Sequence, residues 1–218
     1  MSKQKISNNA LAALVVAALV VSVAGVYMAT SRTGITGQQS ANPNGTVQFV
    51  LQQVASLRFA INSVNFGTGF VNTSLQNKVC NLDTLGNNPP ELCRNFTTVT
   101  QGFVLENDGT INLTVDLVSN ATADQFIGGD AALNSFQWRI ANNETAACLN
   151  LTGPANFTEV NTTAPGTRIC QPRFGEASSA LNFLDSADTL LININVTLPY
   201  DALAGTKRAL LIATGTAV

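Results

Sequence analysis

The pattern of apolar and polar positions changes character twice along the chain. From Ile6 to Ser31 there is no charge, and Ala10 to Ala29 is almost wholly apolar. At about 1.5 Å rise per residue, such a helix spans roughly 30 Å, the thickness of a bilayer core. Lys3 and Lys5 precede the run and Arg32 follows it. The positive-inside rule therefore places the N-terminus inside and residues 33–218 outside. Asn8 and Asn9 suit the helix start, and Tyr27 suits the outer interface. Two readings stay open, a retained anchor and a cleaved signal with Ser22-Val23-Ala24 before the cut. Continuation of the apolar run through Ala29 favours retention. Ala10, Leu14, Ala17, Val21, Ala24 and Met28 are the candidate membrane or assembly positions. Small residues among them permit close helix approach in lipid or in a filament core.

Residues 33–45 hold Gly34, Gly37, Pro43 and Gly45 among small polar residues and read as a linker. From Thr46 to Val64 the apolar positions Val47, Val50, Leu51, Val54, Leu57 and Ile61 recur at three-to-four spacing. That spacing predicts an amphipathic helix over 46–64. Its face packs under a β-domain or offers a contact between subunits, with Val47, Val50, Val54, Leu57 and Ile61 as the assembly candidates. Residues 65–94 are rich in turn formers, including Asn87-Asn88-Pro89-Pro90.

The period then becomes two. Phe96 to Leu105 predicts a strand, Glu106-Asn107-Asp108-Gly109-Thr110 a hairpin turn with glycine at positive φ. The returning strand sets Ile111, Leu113, Val115 and Leu117 against Asn112, Thr114 and Asp116. Phe136, Trp138 and Ile140 alternate with Gln137 and Arg139. Leu190, Ile192, Ile194, Val196 and Leu198 alternate with Asn193, Asn195 and Thr197, and a last strand follows over 207–214. The fold class expected is mainly β: an N-terminal hydrophobic helix (1–32), a linker (33–45), and an antiparallel β-sandwich ectodomain (46–218) containing one amphipathic helix.

Composition narrows the chemistry. Charged residues make up 11% of the 218, against about 25% in ordinary soluble domains. Residues 33–218 hold 8 basic and 13 acidic side chains, a net of −5, which disfavours a nucleic-acid partner. No histidine occurs, so zinc chemistry and His-based catalysis lose their commonest residue. Cys80, Cys93, Cys148 and Cys170 all follow the hydrophobic run, as disulfides of an exported protein would. Three pairings exist, and short loops favour Cys80–Cys93 with Cys148–Cys170.

Asn-x-Ser/Thr accepts N-linked glycan on an exported surface. Ten sequons occur, at Asn44, Asn72, Asn95, Asn112, Asn120, Asn143, Asn150, Asn156, Asn161 and Asn195. Chance placement of 24 Asn and 37 Ser or Thr gives about 4. Period two turns Asn112 and Asn195 away from the core. Covalent N-linked glycans are therefore expected, and no cofactor or metal.

Two stretches of the chain resemble known surface proteins. Lys5-Ile6-Ser7-Asn8-Asn9-Ala10-Leu11-Ala12-Ala13-Leu14 before an Ala/Val helix resembles the anchors of archaeal surface glycoproteins and pilin-like proteins. It departs from them in lacking a glycine at the processing point and an early glutamate. Ile194-Asn195-Val196-Thr197-Leu198-Pro199 through Ala204-Gly205-Thr206 is similar to the closing hairpin of Ig-like domains in prokaryotic surface proteins. The first resemblance implies a helix-cored filament sheathed by the sequon-bearing domain. The second implies an Ig-like sandwich.

Asp83, Glu91, Glu106, Asp108, Asp116, Asp124 and Asp130 are the carboxylates available to sugar chemistry. Their setting in turns and on outward strand faces reads instead as solvated acid. No Gly-x-Ser-x-Gly, His-Glu-x-x-His or phosphate-cradling motif occurs, and an enzyme is the least favoured class. The expectation is a structural cell-surface or extracellular glycoprotein, the self-associating subunit of a pilus-like filament or surface layer. The alternative is a monomeric membrane-anchored adhesin or receptor, with Trp138 and phenylalanines forming a pocket for an unknown external ligand. Those rings filling a core is the simpler reading.

Overall fold

The computed structural model describes residues 49–74 and 79–218. The segment Ala10–Met28, the linker 33–45, Asn44 and Val47 lie outside them. Two compact units divide at Val50 and Leu51, and the fold below is that of Leu51–Val218.

The domain is predominantly β, in open sheets. A six-stranded antiparallel sheet is built on β10 (Thr189–Pro199). One flank of β10 carries β7 (Ser135–Asn142), in register from Leu190↔Asn142 to Thr197↔Ser135. Its other flank is shared. β5 (Phe103–Glu106) takes the half at 189–192, and β3 (Val79–Asp83) takes 195–199. β1 (Arg58–Ile61) and β8 (Thr158–Glu159) close the edges. A three-stranded sheet has β6 (Leu113–Ser119) between β11 (Leu211–Ala217) and β9 (Thr167–Cys170). β2 (Phe70–Val71) and β4 (Cys93–Arg94) form a two-stranded sheet.

Side chains of both larger sheets share one core. Leu105, Phe136, Trp138, Ile140, Leu190, Ile192 and Ile194 meet Leu113, Val115, Leu117 and Ile169. Alternation explains the pairing: Phe136, Trp138 and Ile140 are buried while Ser135, Gln137 and Arg139 are not. Trp138 is only 1% exposed, so it fills the core instead of lining a pocket. The two disulfides are Cys80–Cys93 and Cys148–Cys170, the pairing that short loops favour.

Several expectations are corrected. The helix over 46–64 does not form where the chain is described: 49–57 has no regular structure and 58–61 is β1. In β1 the sides alternate, Phe59 and Ile61 half-buried, Arg58 and Ala60 exposed. The backbone of Val54 is committed to Thr110, its C=O accepting from Thr110 N at 2.8 Å and its N–H donating to Oγ1 at 2.9 Å. Those bonds replace the i→i−4 ladder a helix needs, and the β-branched residues favour strand. Arg58 Nη2 adds an ion pair to Glu106 Oε1 at 2.7 Å across β1 and β5.

The turn at 106–110 does not close a hairpin. β5 has both edges occupied by β1 and β10, and β6 has both occupied by β9 and β11. The turn therefore carries the chain from one sheet to the other. Buried Asn107 holds it, donating Nδ2 to Ile111 O at 2.9 Å and Leu181 O at 3.2 Å and accepting from Gly109 N at 3.2 Å. Gly109 is not at positive φ. A Cβ there would strike the Val54 carbonyl and lie 2.9 Å from Ser56 N. The strand expected over 96–105 is confined to 103–106. The polar face expected on β6 is also covered, with Thr114 and Asp116 buried.

Candidate functional site

The sequence points to a surface, and its candidate residues are the sequon asparagines. Nine lie among the described residues. Asn95, Asn120, Asn143 and Asn156 are exposed, and Asn72, Asn112, Asn150, Asn161 and Asn195 are half-buried. None is buried. Asn107 and Asn193, which begin no sequon, are 0% and 1% exposed. The other described asparagines outside sequons are exposed or half-buried as well, and apart from Asn195 the sequons sit at strand ends and in loops.

Several of these asparagines also tie loops. Asn72 Oδ1 accepts from Ser74 N at 3.1 Å, and Asn161 Oδ1 accepts from Thr163 N at 2.9 Å. Both are Asx-turns, which leave the sequon hydroxyl residue beside the amide. Asn120 Oδ1 accepts from Leu210 N at 2.7 Å. Asn143 Nδ2 donates to Thr189 Oγ1 at 3.1 Å, and Asn112 Nδ2 to Ala177 O at 3.2 Å. Asn195 stands in mid-strand between Asp83 and Gln137, on the face opposite Ile194 and Val196. Among the described residues its Oδ1 is enclosed without a partner, as is that of Asn112.

The carboxylates considered for catalysis are spread over the domain, and several are occupied. Asp83 accepts from Leu85 N at 2.8 Å and Asn87 N at 2.9 Å. Asp116 Oδ1 pairs with Arg168 Nε at 2.7 Å between β6 and β9. Asp130 accepts from Ala132 N at 2.9 Å, and Asp124 Oδ1 from Asn134 Nδ2 at 2.8 Å. Asp124 lines a shallow cleft of about 390 Å³ with Thr122, Asn134 and Glu159. The cleft begins at α1 (Ala123–Phe126), a single turn started by a Thr122/Gln125 capping box. Among the described residues no three His, Cys, Asp or Glu side chains group to hold a metal ion.

One acidic pair was not singled out by motif. Asp188 is buried beside Glu144, whose Oε2 accepts from Asp188 N at 3.0 Å and Thr189 N at 3.2 Å. Burial, then the Glu144 charge and hydrogen bond, push the Asp188 carboxyl up to about 6. They join the Asn143–Cys148 loop to the start of β10, a long-range contact that no local pattern announces.

The remaining surface feature is β11. Among the described residues it pairs with β6 alone and forms an edge of its sheet. Among the described residues no helix is long and apolar enough to cross a membrane. Of the candidate assembly positions, Val50 and Val54 are exposed, while Leu57 and Ile61 are half-buried against the domain. No protein-family model matches this chain, and no curated protein matches it.

Proposed function

We propose that this protein is a structural cell-surface glycoprotein, the repeating subunit of an extracellular filament or surface layer. The observation that carries the reading is the excess of sequons, ten against about 4 by chance, with none of the nine described ones buried. Two disulfides and a charge-poor surface agree with an exported domain. In this reading the domain is an Ig-like two-layer sandwich, and N-linked glycan hydrates a surface that has few charges. Residues 10–29 anchor it in lipid or pack in a filament core, as in the archaeal pilin-like proteins that the N-terminus resembles. It has no catalytic role.

The test is electron microscopy of material from the native source, with intact-glycopeptide mass spectrometry on the same sample. Ordered polymers with modified sequons are expected. Strictly monomeric protein would remove the repeating-subunit reading, and bare sequons throughout would remove the glycoprotein.

A further inference from the structure

We propose that the open edge of β11 is a strand-addition site for a second copy of this chain, and that it accepts the uncharged segment Phe49–Gln53. The proposal rests on the repeating-subunit reading and names the contact that builds the repeat.

The backbone geometry comes first. Asn120 N donates to Leu210 O at 3.0 Å, and Val218 N donates to Asn112 O at 3.2 Å. These bonds fix the alternation of the antiparallel pair, whose register runs unbroken from Leu211↔Ser119 to Ala217↔Leu113. Residues of even number point their N–H and C=O at β6. Leu211, Ala213, Gly215 and Ala217 point theirs at the open edge. Proteins normally block such an edge with charge, proline or a bulge. β11 has none of these, and Lys207 and Arg208 precede it. Its outer face adds apolar surface, with Leu210 63% and Ile212 49% exposed.

The occupant is argued from the same chain. Residues 33–57 contain no charged side chain. Phe49, Val50, Leu51 and Val54 are 74%, 82%, 83% and 51% exposed, and 49–57 belongs to no strand of its own fold. Phe and Val are strand formers. From Val54 onward the chain is held by Thr110, so the part before Val54 can pair elsewhere without disturbing β1. Forty-eight residues precede Phe49, which leaves length for a link to a neighbour. Pairing two uncharged strands desolvates no ion.

The edge is also bracketed. Sequons at Asn112 and Asn120 lie at the two ends of β6, against Val218 and Leu210. Eight positions of strand separate them by about 26 Å. A glycan on exposed Asn120 would mark one end of the edge, and β11 itself carries no sequon.

Hydrogen exchange on full-length native-source protein tests this, comparing assembled material with detergent-dissociated monomer. Assembly is expected to slow exchange at least tenfold in both 49–53 and 211–217. Assemblies in which 211–217 exchange as in the monomer would overturn strand addition while leaving the repeating subunit intact. Slow exchange of both segments in the monomer would mean pairing within one chain and would overturn the second-copy occupant. Absence of any assembly would remove the parent reading and this one with it. Ala213→Pro deletes an outward N–H without touching a bond to β6, and is expected to raise the assembly concentration tenfold or more. Leu51→Lys acts from the other side at an exposed position outside the core. Unchanged assembly of the folded L51K protein would overturn the proposal even if A213P failed to fold.

Discussion

Glu144 holds Asp188 by its backbone and opposes it by its charge. Its Oε2 accepts from the Asp188 and Thr189 amides at 3.0 and 3.2 Å, while its charge helps raise the neighbouring carboxyl. Burial raises Asp188 most, followed by the charge and hydrogen bond of Glu144, then the charges of Glu106 and Asp185. For Glu144, burial opposes ionisation, but the bonds from Asp188 and Thr189 outweigh it and lower its pKa. The signs then differ. Asp188 binds its proton more tightly folded than unfolded, so folding gains from acidification through about 6 towards 3.8. Glu144 stabilises the fold when ionised, and that stability is lost as pH falls below 4.5. Thermal melts are expected to peak near pH 5, above the values at pH 7 and pH 3. Asp188→Asn should flatten the limb between pH 5 and pH 7. A limb that persists in that variant would assign it to another group.

The two disulfides close loops of 13 and 22 residues. Chain entropy gives each about 3 kcal/mol. Their surroundings differ. Cys148 and Cys170 belong to the main core with Leu181, whereas Cys80 and Cys93 form a small cluster with Leu82. Replacing Cys148 and Cys170 by Ala should lower the global melting temperature by roughly 10 °C or more. Replacing Cys80 and Cys93 should act most on the neighbourhood of β3 and β4. Exchange should rise first in residues 79–100, with a smaller fall in global melting temperature. Equal global losses with no local opening would make the small cluster part of one cooperative unit.

The central strands were legible because their alternation is strict and one face is buried. Trp138 and Ile194 show it, each flanked by polar residues in sequence and both buried in the core. β3 was hidden in a turn-rich stretch because Val-Cys-Asn-Leu-Asp is short and takes its strand character from β10. The segment through Ile61 failed for another reason. Its apolar residues fit a helical spacing as well as a strand, and the decision rested with β5, where Glu106 and Leu105 pair with Arg58 and Phe59 from far along the chain. Sheet membership of β5 and β6 was equally non-local, so a plausible turn between them was read as a hairpin. The sequon pattern placed candidate asparagines at the surface, but it carried no information on which amides bond elsewhere.

Two glycines separate strain from collision. Gly175 sits at φ 77 with nothing within 4 Å of an added Cβ. Gly102 has no positive φ, yet a Cβ there would strike the Ile192 carbonyl of β10. Gly175→Ala should cost about 1 kcal/mol, the expense of a left-handed backbone for alanine. Gly102→Ala should cost more, about 2–3 kcal/mol, because backbone must shift to make room. Denaturant unfolding measures both. Equal losses would mean that the Gly102 loop moves freely off the sheet.

The asparagines differ in what glycan attachment would disturb. Asn95, Asn120 and Asn156 are exposed, and the Asn120 contact to Leu210 uses Oδ1, leaving its nitrogen available. Asn112 donates its nitrogen to Ala177 O at 3.2 Å, and Asn195 is half-buried between β3 and β7. A glycan at Asn112 removes one amide hydrogen and crowds the 3-10 turn at Ala177–Ser179. Transfer to a folded domain should therefore favour Asn95, Asn120 and Asn156 over Asn112 and Asn195. Site-resolved glycopeptide occupancy is expected to fall in that order. Full occupancy at Asn112 and Asn195 would mean that transfer precedes closure of the sheets, since an unfolded chain presents every sequon alike. Both bare beside occupied exposed sites would mean that period two alone, without the covering loops, misjudged how open those faces are.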